Sequence, residues 1–152
     1  NIYPIHRNSM KILTSDDHIT QLSQVSKPVN IFNSQLAELC ISLDNTMLLH
    51  NGFGLAAPQV GIFLRVIVVD FDPFVLINPY IIGAEGIIDT IIEGCLSVPN
   101  ISKTLNRFNK IQVMYQDLSG TMKIETFEGL DSVVIQHEID HLDGILITTK
   151  EK

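Results

Sequence analysis

The chain has 152 residues, 45% hydrophobic and 18% charged, with a formal net charge of −7. That length suits one domain with a real core, and the apolar share excludes intrinsic disorder. The acidic balance argues against broad binding to nucleic acid or anionic membrane; with no apolar run of membrane-spanning length and no signal pattern, a soluble, cytoplasmic protein is expected.

Residues 1–10 show no clear period. Either Met10 is the natural start with residues foreign to the natural chain ahead of it, or residues 1–9 are a true N-terminal extension; residues 10–152 are expected to form a single domain. Ser15-Asp16-Asp17 offers an N-cap for a short helix through Leu22, and Lys27-Pro28 stops any continuation. Between residues 34 and 50, Leu36, Leu39, Cys40, Leu43 and Met47 follow helical spacing, with Asn33 or Ser34 as cap and Asn51-Gly52 as stop. Cys40 reads as packing within that core helix. The cysteines, Cys40 and Cys95, do not make a disulfide framework.

Gly52-Phe53-Gly54-Leu55-Ala56-Ala57-Pro58-Gln59 comes next, with glycines that permit a sharp turn and close approach of another chain. It is no dinucleotide loop, since no strand precedes it and Pro58 interrupts a following helix. The β-branched run 64–70 predicts a buried strand, and residues 74–82 a second, broken near Asn78-Pro79. A third short apolar run, 87–92, delivers the chain to Glu93-Gly94-Cys95-Leu96-Ser97. Residues 110–117 and 122–127 alternate around Leu118-Ser119-Gly120-Thr121, a hairpin pattern. Residues 130–142 predict a helix with Asp131 at its positive end and Gly144 as its stop, and residues 145–147 predict a last edge strand. The fold class expected is α+β, with mostly antiparallel sheet packed around a central metal-binding helix.

That helix carries Gln136-His137-Glu138-Ile139-Asp140-His141. His137 and His141 lie one turn apart, so both imidazoles can reach one metal ion, and Glu138 can lean over it as a proton carrier. Zinc proteases with this helix usually take a third ligand from further downstream. Here only eleven residues follow His141, and Ile147 stands where the extended motif, which keeps its glycine at Gly144, has a third histidine. Cys95, at the end of an apolar run, is the candidate from upstream; taken alone, a buried packing cysteine is its alternative. Three protein ligands with one open position make a catalytic site, and a soft sulfur admits ferrous iron, with oxidation as a liability.

The glycine-rich stretch 52–59, the stretch 93–97 and the helix 136–141 resemble, in order and spacing, the three signature motifs of the peptide deformylase family. The resemblance spans about residues 11–149. It implies hydrolysis of the N-formyl group from the starting methionine of nascent polypeptides, with release of formate and attack by a metal-bound water. By that resemblance Cys95, His137 and His141 hold the metal, usually Fe2+, with Zn2+, Ni2+ or Co2+ as substitutes. Glu138 acts as general base and then acid, while the Gln59 amide and the Leu96 N–H hold the oxygen that becomes negative. Leu130, Val133 and Val134 on the helix, with Phe53, form the pocket for the methionine side chain, and Gly54 and Gly94 leave room for the substrate backbone.

Departures from the family pattern are Ser102 in place of a common arginine, Asn106 ahead of the retained Arg107, and Phe53 in place of a small aliphatic residue. Familiar bacterial members continue into a C-terminal helix that contacts the ribosome, so ribosome association is not carried over; the partner expected is the formylated nascent peptide, with the chain a monomer. The alternatives are a general metallopeptidase and a non-catalytic metal- or peptide-binding relative.

Overall fold

The computed structural model describes residues 9–150. The N-terminal extension expected at residues 1–9 therefore lies outside the described residues, apart from Ser9. In chain order the elements are α1 (Ser15–Leu22), α2 (Ser34–Leu49), β1 (Gly54–Ala56), a 3-10 turn (Ala57–Val60), β2 (Val66–Val69), β3 (Val75–Cys95), β4 (Val98–Gln116), β5 (Met122–Glu128) and α3 (Gly129–Leu142). The strands form one five-stranded sheet in the order β1-β2-β3-β4-β5, every pair antiparallel. The α+β class stands, with α3 at its centre.

β2 explains how the layers stack. Its Val66-Ile67-Val68-Val69 run is buried throughout, as a strand covered on both faces must be. Val66 and Val68 face Leu36, Cys40, Leu43 and Met47 of α2. Ile67 and Val69 join Ile135, Ile139 and Leu142 of α3 on the other face. α2 begins where Asn33 Oδ1 accepts from Leu36 N at 3.1 Å, which selects Asn33 over Ser34 as the cap. α1 starts from Thr14, with no side-chain cap bond, so the cap expected at Ser15–Asp17 is not used.

Two expectations are corrected. The separate runs at 74–82 and 87–92 belong to one long strand, β3, whose partner β4 extends far back before residue 110. The predicted break is a register shift between Ile77 and Tyr80, where Asn78 adopts φ 51°. Asn78 Oδ1 accepts from Val29 N at 2.8 Å and its Nδ2 donates to Val29 O at 2.9 Å, which supports the strained residue from outside the sheet. The edge strand expected at 145–147 does not form. Leu146 and Ile147 instead pack with Leu22, Val98 and Leu105 as a plug under the β3–β4 hairpin, so their hydrophobicity serves burial and not pairing. Gly144, at φ 73°, makes that turn, and a Cβ there would stand 2.3 Å from Ser23 O.

Candidate metal centre and cleft

α3 holds the centre of the molecule through polar bonds as well as apolar ones. Gln136 is buried and clasps β4, accepting from Phe108 N at 3.0 Å and donating to Phe108 O at 2.8 Å. Ser132 Oγ donates to the same carbonyl at 2.8 Å. These bonds fix the rotation of α3 and so aim His137 and His141 at the end of β3. There the chain reverses between Cys95 and Val98, which presents Cys95 at a tight turn.

The ligating atoms of Cys95, His137 and His141 all lie within 4.8 Å of one another. His141 Nε2 stands 3.2 Å from His137 Nε2 and 3.3 Å from Cys95 Sγ. Nitrogen and sulfur ligands set tetrahedrally around one divalent ion stand about 3.4–3.6 Å apart. The donor set therefore fits a metal ion in both chemistry and spacing. Burial disfavours a charge on His137, but hydrogen bonds to Cys95 and Glu93 and the charge of Glu138 outweigh it and hold its pKa up at about 10. His141 is pushed well below its ordinary value by burial, with the His137 and Arg107 charges adding to the effect, so it is neutral. The donors thus converge at a place whose acidic neighbours favour positive charge.

The orientation of His137 comes from Glu93, a residue whose role the sequence reading did not single out. His137 Nδ1 donates to Glu93 Oε1 at 2.8 Å, which leaves Nε2 for a metal. Glu93 is itself clamped by Arg107, through Nε and Nη2, both at 2.7 Å. Arg107 Nη1 donates onward to Asp140 Oδ2 at 2.6 Å. Burial would raise the Glu93 carboxyl, yet the Arg107 and His137 partners bring it down to about 2. The available signal was a charged residue directly after an apolar run, two positions before Cys95 and so on the same strand face.

Glu138 is buried, 4% exposed, and among the described residues its Oε1 has no hydrogen-bond partner. Burial pushes its carboxyl up to about 7 against the pull of His137 and Arg107. Such an atom is costly unless it meets something the protein alone does not supply. Gly54 allows the arrangement, because a Cβ there would stand 2.8 Å from Glu138 Oε2. Gln59 is also buried; its Oε1 accepts from Ala56 N at 3.0 Å while Nε2 donates to Ser97 Oγ at 3.1 Å and points toward Cys95 Sγ at 3.8 Å.

These groups line a cleft of about 550 Å³. Phe53, Gly54, Gln59, Gly94, Cys95, Leu96, Leu130, Val133, Val134, His137 and Glu138 all border it, and His141 lies buried at its inner end. Phe53 and Leu130 stand open at the rim, Val133 is buried in the wall, and a Cβ on Gly94 would meet nothing within 4 Å. The structure thus brings together the residues singled out in the sequence. Cys40 is elsewhere, fully buried against β2, its thiol pushed up to about 12 by burial. It is packing.

The model of the family described as Polypeptide deformylase matches residues 9–152. The chain belongs to the polypeptide deformylase family. The chain is 46% identical over 128 residues to the peptide deformylase of Dictyoglomus thermophilum, covering 83% of each chain. It is 45% identical over 131 residues to that of Heliobacterium modesticaldum, covering 85% of this chain and 86% of the relative. The crystal structure of peptide deformylase from Thermotoga maritima superposes with a TM-score of 0.88 at 36% identity, over 95% of this chain and 98% of that one. Against the family pattern, Ser102 lies opposite Gly94 in the β3–β4 ladder, exposed beside the cleft, while Arg107 is part of the buried network that orients His137.

Proposed function

We propose that this polypeptide deformylase removes the formyl group from the N-formylmethionine of nascent polypeptides. The observation that carries the reading is the buried, unpartnered Glu138 carboxylate beside three converging metal donors, at the inner end of a cleft with apolar walls. Cys95 through Sγ, and His137 and His141 through Nε2, would hold a divalent ion, with Fe2+ as the native metal and Zn2+, Ni2+ or Co2+ as substitutes. Such an ion supplies a Lewis acid and makes water acidic enough to be deprotonated near neutral pH.

The chain's own groups do the rest. Glu138 takes a proton from the attacking water and passes it to the departing amine, so a C–O bond forms as the formyl C–N bond breaks, giving formate and a free N-terminus. Gln59 through Nε2 and Leu96 through its N–H donate to the formyl oxygen as it becomes negative. Glu93 keeps His137 in one tautomer. Phe53, Leu130, Val133 and Val134 take the methionine side chain, and Gly54 and Gly94 admit the peptide backbone. We read residues 10–152 as one catalytic domain, acting as a monomer in the cytoplasm; no helix among the described residues is long and apolar enough to cross a membrane. Membership in a deformylase family disfavours both the general metallopeptidase and the binding-only alternative.

The test is formate release from a short N-formylmethionyl peptide by protein prepared without oxygen and loaded with Fe2+ or Ni2+. Release that collapses by about 10³-fold in Glu138→Ala, with metal content unchanged, supports the reading. A folded, metal-loaded protein that releases no formate refutes it.

A further inference from the structure

The buried ion network behind His137 does not end at Asp140. Asp140 Oδ2 accepts from Arg107 Nη1 at 2.6 Å and pairs with Lys150 Nζ at 3.1 Å, and Oδ1 lies 3.3 Å from the same ammonium. Lys150 comes from the segment that follows α3 and returns to its own helix. Its N–H donates to Leu146 O at 3.1 Å, in a turn that Thr149 closes through Oγ1, donating to Leu146 O at 3.0 Å and accepting from Leu146 N at 3.1 Å. The Lys150 carbonyl accepts from Lys103 Nζ, and Lys103 is the residue opposite Glu93 in the β3–β4 ladder. Glu93, Arg107, Asp140, Lys150 and Lys103 thus form a ring that closes through the paired strands. Exposure rises along it, from 2% at Arg107 and 6% at Glu93 to 16% at Asp140 and 31% at Lys150, so the ring runs from behind the metal donors to the surface.

We propose that Lys150 is a positioning residue for the metal centre: by balancing Asp140 it lets Arg107 keep its grip on Glu93, and Glu93 in turn holds His137. The proposal rests on the metal-site reading above and adds to it a residue outside the three motifs. Arg107 uses Nε and Nη2 on Glu93 and Nη1 on Asp140, so one guanidinium serves two carboxylates. With Lys150 present, each carboxylate has a cation to itself. Without it, Arg107 must balance both, Asp140 draws the guanidinium toward itself, and the bidentate clamp on Glu93 loosens. His137 Nδ1 then loses the fixed acceptor, now at 2.8 Å, that keeps Nε2 aimed at a metal. Lys150 does not border the cleft, so its effect does not pass through the peptide. A direct action of its charge on a bound cation has the opposite sign, because removing an ammonium near a divalent ion tightens binding. The direction of the change tells the two roles apart.

The experiment measures Co2+ affinity by chelator competition, with the visible absorption of the bound cobalt, for the full chain, Lys150→Met and Lys150→Arg prepared without oxygen. Losing the partner of a ligating histidine costs about 10–100-fold in metal affinity, and Lys150 acts through two further residues, so Lys150→Met should weaken binding about three- to tenfold. The cobalt band should change with it, as a reoriented imidazole requires, and Lys150→Arg, which keeps the charge, should restore both. In a Glu93→Gln background Lys150→Met should alter affinity by less than about twofold, because the route through Glu93 is already cut. Binding that is unchanged or tighter in Lys150→Met, or a loss that persists undiminished beside Glu93→Gln, overturns the proposal and leaves the deformylase reading standing. An unaltered protein that binds no Co2+ sinks both. Should Lys150→Met misfold by circular dichroism, Lys150→Gln, which keeps a hydrogen-bond donor without the charge, is read by the same outcomes.

Discussion

Glu93→Gln tests whether the buried ion network positions the metal ligands. Glu93 is 6% exposed and accepts three hydrogen bonds, two from Arg107 at 2.7 Å and one from His137 at 2.8 Å. The amide keeps the shape but loses the charge and offers one acceptor oxygen, so Arg107, itself 3% exposed, is left with Asp140 as its remaining anion. Breaking a buried pair costs about 3–5 kcal/mol. Because Asp140 stays, the lower end, about 3 kcal/mol, is expected for urea unfolding of the metal-free protein at pH 7. The loss must also depend on pH. Glu93 is depressed from 4.5 to about 2 on folding, so its stabilisation is present above the unfolded value and fades as pH falls from about 4.5 toward 2. Wild type and variant should therefore converge in stability across that window. Freed from its carboxylate partner, His137 should bind metal about 10–100-fold more weakly in chelator competition. A variant within about 0.5 kcal/mol of wild type at pH 7, or with metal affinity within about twofold, would refute the reasoning.

Three further outcomes are expected. Gly54→Ala should cut formate release by about tenfold or more while metal content stays unchanged, because its Cβ would stand 2.8 Å from the Glu138 carboxylate and displace it. Gln59→Ala should lower kcat by about 10²–10³-fold with a smaller change in KM, as loss of an oxyanion donor does; an unchanged kcat would remove Gln59 from that role. Gly144→Ala should cost about 2–3 kcal/mol, read as a fall in Tm at unaltered kcat/KM per folded molecule, because φ 73° and the Ser23 carbonyl 2.3 Å away both oppose a side chain.

The sequence by itself determined what depends on short spacings. Two histidines four residues apart on a helix share a face whatever surrounds them, and a β-branched run such as 64–70 makes a strand with little help. Hence α2, β2, the β4–β5 hairpin and α3 were legible, and the three motifs in order pointed to Cys95 as the upstream partner. Only the tertiary structure decided which residues those elements lean on. Glu93 and Arg107 are fourteen positions apart and meet His137 only because β3 and β4 pair and α3 lies across them. The single long β3 was hidden because its outer face is open to solvent and its regularity is broken by register shifts, so its apolar residues read as separate short runs. Residues 145–147 looked like a strand because β-propensity records side chains that favour burial, and a plug beneath a hairpin asks for the same side chains as an edge. The Lys150–Asp140 pair, too, exists only in three dimensions, where the segment after α3 returns to that helix and is held there by Lys103 of β4.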